Sequence, residues 1–363
     1  MTSRVLIGAQ SFMDDFKKRA SEAKESVYVQ AMTFEGDAAG EQLIDILLKS
    51  PAKEKKLLVD NYSNAVINDS FIISPKYVKD KDFRLEISNT KFILEKARKN
   101  GIDVMFTNPL GFMMLRYPLR NHKKMVVVDG STSYLGGINF SDHNFEWHDM
   151  MIAIENEDVG KSISRDFNKT WKGENQSLSE EFQDSTIYFF NGVKSADLYE
   201  SLFRVIKSAK QTVEVISPYV SNPLLSVLEG ASNNGVNVSI ISPEKNNKGI
   251  FKNILLSELD KGYFKMFEYP GMSHLKAILI DGETLLFGSS NYDIVSYYWE
   301  QEIVLESRDQ SLVAMFKTEI LDPAKEKAIE INSGPTSWNA SAGIMKALEV
   351  FCRITSRTVL RPH

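Results

Sequence analysis

Residues 121–142 read NHKKMVVVDGSTSYLGGINFSD, and residues 273–293 read SHLKAILIDGETLLFGSSNYD. They are one pattern written twice. In each, a His is followed two positions later by a Lys (His122 and Lys124, His274 and Lys276), then by four apolar residues and an Asp (Asp129, Asp281). After six more residues come two small ones, Gly136 and Gly137 or Gly288 and Ser289, and after one further residue an Asn, Asn139 or Asn291. His122 and His274 stand 152 positions apart. A single repeat at that distance marks a duplicated lobe, not a solenoid of short units.

Strand geometry explains the residue types. Side chains alternate along a strand, so His-x-Lys presents both groups on one face. The runs MVVV and AILI predict a strand buried on both sides. Asp-Gly after each run predicts a hairpin turn, so the returning strand brings the Gly or Ser and the Asn back beside the His and Lys. Imidazole, ammonium, hydroxyl and amide donors then converge on one small volume. That set suits a phosphate, whose oxygens accept several charge-assisted hydrogen bonds.

The rest of the chain supplies a frame for the two copies. Apolar spacing predicts a helix over 9–23, strands over 26–34 and 55–60, and a helix over 40–50. This β-α-β order predicts an α/β fold with mixed, mainly parallel sheets. Residues 61–87 have no clean period and read as an irregular excursion, and residues 89–101 as a helix stopped by Gly101. A strand over 147–155 and a helix over 158–173 follow the first copy. The polar stretch 174–185 reads as a linker. The alternation then resumes, with helices over 197–211, 223–235 and 249–262 and strands over 212–219, 236–243, 263–269 and 301–307. The expected division is an N-terminal lobe over 1–173, the linker, a C-terminal lobe over 186–321 and a tail over 322–363.

Composition bounds the function. Net charge is −5 and the isoelectric point about 5.7, so no global basic field draws the chain to nucleic acid. Cys352 is the single cysteine, which excludes an intramolecular disulfide and fits a reducing compartment. There is no signal-peptide pattern and no apolar run of about 18 residues, so a cytoplasmic protein, or one peripheral on a membrane, is expected. No Cys pair or HExxH is present, and cationic side chains fill the place a metal would take. Neither a metal nor another cofactor is expected.

The doubled H-x-K-x4-D-x6-G-[GS]-x-N pattern resembles the phospholipase D superfamily, in which two such motifs build one active site. The blocks AKESVYVQAMTF, KKLLVD, LRNHKK, WHDMMIAIE and VNVSIISP are similar to those of the bacterial cardiolipin synthase branch, over roughly residues 8–315. The resemblance implies two similar α/β/α lobes packed side by side as a monomeric pseudo-dimer. It implies a phosphodiesterase or transphosphatidylase acting on phospholipid head groups, with water or an alcohol as acceptor.

The resemblance also implies the chemistry. A neutral imidazole attacks phosphorus to give a phosphohistidine, while a second, protonated imidazole donates to the leaving oxygen; the roles then reverse. By resemblance His122 is the nucleophile and His274 the acid/base, although the near-symmetry of the motifs leaves the opposite assignment open. Lys124, Lys276, Asn139, Asn291 and Ser289 would bind the phosphate oxygens; Gly137 lines the same place without a hydroxyl. In the superfamily a carboxylate past the Asn orients each imidazole, and the matching positions are Asp149 and Glu302, with Glu300 a rival to the latter. Asp129 and Asp281 are expected to be structural, as turn formers.

Alternatives stay open at this level. A nuclease of the same superfamily is disfavoured by the acidic isoelectric point. A catalytically dead scaffold is disfavoured by complete His, Lys and Asn sets in both motifs. The loop GFMMLRYPL (111–119) sets Phe112, Met113, Met114, Leu115 and Tyr117 beside Arg116 and Arg120, and reads either as a buried connection or as a lipid-interface loop. A tail helix near 341–354, with Ile344, Leu348 and Phe351 on one face and Arg353, Arg357 and Arg361 at its end, reads either as docked on the body or as a membrane anchor.

Overall fold

The computed structural model describes residues 2–333, together with residues 343, 347 and 349–352. The chain divides into two compact units, Met1–Gln176 and Ser177–His363, each with its own sheet and core. The expected positions Ile344, Leu348, Arg353, Arg357 and Arg361 lie outside the described residues.

In chain order the first unit runs β1 (Thr2–Ile7), α1 (Gly8–Glu22), β2 (Ser26–Ala31), α2 (Ala38–Lys49), β3 (Glu54–Asp60), β4 (Val66–Ile67), β5 (Ser70–Phe71), α3 (Pro75–Lys79), α4 (Lys81–Lys99), β6 (Asp103–Thr107), β7 (Met125–Val128), β8 (Thr132–Gly136), α5 (Asp142–Phe145), β9 (Met150–Glu155) and α6 (Glu157–Trp171). Seven strands make one sheet in the order β1-β9-β8-β7-β2-β3-β6. The second unit runs β10 (Leu178–Phe182), β11 (Ser185–Asn191), α7 (Ala196–Lys207), β12 (Thr212–Ile216), α8 (Leu224–Asn233), β13 (Asn237–Pro243), α9 (Gly249–Leu259), β14 (Lys265–Tyr269), β15 (Ala277–Ile280), β16 (Thr284–Gly288), α10 (Ile294–Tyr298), β17 (Gln301–Ser307), α11 (Gln310–Phe316), a π-helical turn over Lys317–Leu321, α12 (Asp322–Lys327) and β18 (Ile329–Ile331). Its sheet has the order β10-β11-β17-β16-β15-β12-β13-β14-β18.

The fold is α/β, with two similar lobes and mixed sheets. The expectation of mainly parallel sheets is corrected. Only β2–β3 and β3–β6 pair in parallel in the first sheet, and only β12–β13 and β13–β14 in the second. The physical reason lies in the repeated motif itself. Its Asp-Gly turn folds β7 onto β8 and β15 onto β16 as hairpins, and the strand after each hairpin pairs antiparallel too.

Two other expectations change. The 174–185 stretch contains β10, which pairs antiparallel with β11 at the edge of the second sheet. Within 61–87 the chain forms the β4–β5 hairpin and the start of α4, eight residues earlier than apolar spacing suggested. The signal passed over there is Asp80, whose side chain accepts from Asp82 N and Phe83 N and so caps the helix.

Each sheet is covered by helices whose apolar stripes form its core. In the first unit Phe12 and Phe16 of α1 pack on Tyr134 of β8, while Leu43 and Leu47 of α2 bury against the same cluster. In the second, Tyr199 and Phe203 of α7, Leu228 of α8 and Leu255 of α9 join Val215, Ile240 and Ile278 of the sheet. Each such side chain contributes about 1.5–3 kcal/mol by leaving water. No helix among the described residues is long and apolar enough to cross a membrane.

Candidate active site

The repeated motif is built the same way in both units. Asp129 and Gly130 both have positive φ (50° and 61°), as do Asp281 and Gly282 (52° and 68°), and Ser131 N and Glu283 N close the turns onto Val128 O and Ile280 O. These are type I′ turns, matched to the twist of the strands they join. The Asp side chains do a second job. Asp129 accepts from the backbone N–H of Lys24, Glu25 and Ser26, and Asp281 from Lys210, Gln211 and Thr212, so each turn is tied to the first residue of β2 or β12. Burial opposes ionisation, but these three donors outweigh it and hold both carboxyls below the usual aspartate range.

The His and Lys precede the buried strands β7 and β15, and all four are buried. Lys124 Nζ donates to the carbonyl of His122 (2.7 Å), and Lys276 Nζ donates to that of His274. Each ammonium therefore also clamps the backbone of the His two residues before it. The second small residue of each return strand abuts a carboxylate. A Cβ on Gly137 would lie 2.4 Å from Asp149 Oδ2, so any side chain there would have to displace that carboxylate. In the second unit the Ser289 hydroxyl donates to Glu302 Oε2. The single Ser289 proton, expected to reach phosphate, is given to this carboxylate in the structure.

Sheet register makes Asp149 and Glu302 equivalent. Gly136 pairs with Met151 and Gly288 with Val304, so each carboxylate stands two residues before its glycine's partner. Glu300, the rival, turns to Ser296, whose Oγ lies 3.0 Å from Glu300 Oε2 and 2.8 Å from Glu302 Oε1. Burial, with Glu300 beside it, pushes Asp293 up to about 7, so this acidic corner carries less than its full negative charge at neutral pH.

The asparagines are held differently. Asn139 accepts from Thr33 N (3.1 Å) and donates to Asn144 Oδ1 (3.4 Å). Asn291 is held through its backbone, its carbonyl accepting from Ser217 Oγ (3.0 Å), and its buried Oδ1 has no hydrogen-bond partner among the described residues. The His274 ring also meets Tyr219 edge-on, with centroids 6.1 Å apart.

Sequence reasoning missed several groups and pairings around these sets. Lys123, between His122 and Lys124, forms a buried ion pair with Asp166 of α6 (2.6 Å). Arg120 pairs with Asp60 at 2.5 Å, and Asn121 N donates to the other oxygen of the same carboxylate. Glu35, Asp37 and Glu86 bring carboxylate oxygens within 4.8 Å of one another. Burial pushes Glu35 up to about 9, against a hydrogen bond from Asn68 N and with Glu86 adding to the rise. The basic residues before the motif were visible in LRNHKK; their acidic partners lie 43 or more positions away, beyond any local pattern.

Residues 16–171 and 202–322 match the family model described as "Cardiolipin synthase, PLD-like domain". The chain belongs to this family. Among its relatives is the probable cardiolipin synthase YwiE of Bacillus subtilis (strain 168), 22% identical, with 90% of this chain and 70% of the relative aligned. The cardiolipin synthase of Geobacillus thermodenitrificans (strain NG80-2) is 27% identical over 58% of this chain, and the match spans about half of that relative (47%). Among solved structures, phosphatidylserine synthase from Haemophilus influenzae Rd KW20 superposes with a TM-score of 0.71 at 15% identity, covering 98% of this chain and 94% of that one. Polyphosphate kinase from Porphyromonas gingivalis superposes with a TM-score of 0.61 at 13% identity, covering 98% of this chain and 54% of that one. Such different names on one architecture mean that this likeness establishes the fold and not the substrate.

Proposed function

We propose that this protein transfers a phosphatidyl group from a phospholipid to an alcohol or to water, through a covalent phosphohistidine. The observation that carries the reading is the doubled set. Each unit buries a His, a Lys and an Asn with a carboxylate at one common register position. Membership of a cardiolipin synthase-like family, and relatives named cardiolipin synthase, support a phospholipid as substrate.

In the first step a ring nitrogen of His122 attacks phosphorus. The bond to the leaving alcohol breaks, and that oxygen takes a proton from His274. In the second, His274 removes a proton from the acceptor hydroxyl, whose oxygen attacks phosphorus. The P–N bond breaks, His122 is released neutral, and His274 is again protonated. Lys124, Lys276, Asn139 and Asn291 stabilise the non-bridging oxygens, where charge builds up. Asp149 and Glu302 orient the imidazoles and stabilise the imidazolium. The scheme requires both histidines to reach one phosphorus atom, and it uses no metal.

Intact-protein mass spectrometry after rapid quench in denaturant at neutral pH, during turnover of mixed phospholipid vesicles with glycerol present, tests this. A phosphatidyl adduct is expected on the wild type, none on His122→Ala, and an accumulated adduct on His274→Ala. Both variants should lose on the order of 10³-fold or more in rate. The reverse adduct pattern exchanges the two roles. No adduct and no lipid consumed, with a single-stranded oligonucleotide degraded instead, overturns the lipid reading.

A further inference from the structure

We propose that residues 71–78 and 112–115 of the first unit form one surface that inserts into the interface of an anionic phospholipid bilayer. This rests on the phospholipid reading for its choice of occupant, but on neither histidine.

The two segments expose large apolar side chains to a degree rare in a folded domain. Ile73 is 80% exposed, Val78 78%, Phe112 81%, Met113 79% and Leu115 68%. They are one patch because Phe71 and Tyr117 meet, with ring centroids 5.5 Å apart. Tyr117 in turn packs near Tyr62, at 6.1 Å. Met113 and Met114 hold φ of 49° and 59°, a left-handed conformation costly for residues with a Cβ. That turn sends Phe112, Met113 and Leu115 outward rather than folding them under. A loop selected only to connect β6 to the motif would bury these side chains.

The patch stands on a rigid root. Arg120, buried, bridges Asp60 at the end of β3 and the carbonyl of Arg116 (2.8 Å), while Asn108 Nδ2 holds the carbonyl of Leu119 (3.0 Å). His122 follows two residues after Arg120. An insertion here would bring a bilayer surface up to the segment that carries the first motif.

Charge selects the kind of surface. Lys76, Lys79, Lys81, Arg84 and Arg116 lie in or beside the two segments against Asp69, Asp80 and Asp82, a local balance of +2 in a chain whose net charge is −5. Arg84 is turned inward onto the carbonyls of Tyr77 and Val78, bracing the apolar turn. Apolar tips flanked along the chain by cations, in an otherwise acidic protein, match the two-part requirement of interfacial binding, apolar insertion plus attraction to anionic head groups.

The test is co-sedimentation of the full chain with vesicles, zwitterionic or containing an equal share of anionic lipid. The wild type should bind the anionic vesicles more tightly, and added salt should weaken that binding. Phe112→Asp with Met113→Asp should weaken it on the order of 100-fold, at unchanged thermal midpoint. Lys79→Glu with Arg116→Glu should remove the preference for anionic lipid. Met113→Trp should show a blue-shifted emission on vesicles. His122→Ala should bind like the wild type, so loss of turnover and loss of binding are read separately. Unchanged binding in the apolar variant overturns the proposal. So does a wild type that is dimeric in solution and becomes monomeric in that variant, which would assign the patch to a second copy of the chain.

Discussion

The two units solve one problem with different second choices. Both keep the His, the Lys two residues on, the type I′ Asp-Gly turn tied to three backbone N–H groups, and the Asn. They differ in what surrounds these groups. The first unit seats a short carboxylate, Asp149, directly over Gly137; the second seats a longer one, Glu302, on the hydroxyl of Ser289. Between His and Lys the first unit buries a charged residue, Lys123, paired with Asp166, where the second buries Leu275. The approach to the motif is residues 108–121 in one and 270–273 in the other. The constant part is the His-Lys-Asn set and the hairpin that carries it. The variable part sets charge, stability and access, and there the copies have diverged.

The largest effect should come from the buried pair. Lys123→Met alone strands the Asp166 carboxylate in the core and should cost about 3–5 kcal/mol. Lys123→Met combined with Asp166→Leu, which puts an apolar residue between His and Lys as Leu275 does in the second unit, should be near neutral or stabilising. Chemical denaturation of the three proteins measures both. If the double variant is as unstable as the single one, the ion pair has a role beyond charge compensation.

The carboxylate seats come next. Gly137→Ser would press a Cβ into Asp149 and should cost about 1–3 kcal/mol, with loss of lipid turnover. Ser289→Gly relieves no clash but removes the donor that holds Glu302, leaving a buried carboxylate short of a partner, at about 1–3 kcal/mol. If the two seats are interchangeable solutions, adding Asp149→Glu to Gly137→Ser should recover part of the lost stability. A double variant worse than Gly137→Ser would show that the backbone around each seat has adapted to its own carboxylate.

Much of this comparison could be read from the sequence, for a definite reason. The motif is local: its period, its turn and its small residues lie within some twenty positions, so strand alternation and turn chemistry predict its shape. The equivalence of Asp149 and Glu302 came from resemblance, and sheet register gives it a geometric basis. What was not legible is long-range. Antiparallel pairing of β9 and β17, the edge strands β10 and β18, and the partners of Arg120 and Lys123 all depend on which distant strand or helix arrives alongside. The excursion over 61–87 misled because its apolar residues face outward in part, so the helical period of α4 is masked at its start. The apolar loop at 111–119 offered two readings, and exposure of Phe112, Met113 and Leu115 decides against a buried connection.

The smallest contrast is a control on the shared frame. Asp129→Asn and Asp281→Asn each keep the turn but lose the negative charge that three N–H groups solvate, and each should cost about 1 kcal/mol. Because both carboxyls sit below their ordinary value near 3.8, the stability they contribute is present above that pH and is lost as pH falls through the lowered folded value. Each variant should therefore flatten the acid limb of stability against pH while leaving the neutral region offset but parallel. Equal flattening by the two variants would mean that the turn is the same device in both units. A larger effect from Asp129 is the expected departure. Its third donor, Ser26 N, begins the strand that also carries Gln30 to Asn121 beside the first motif.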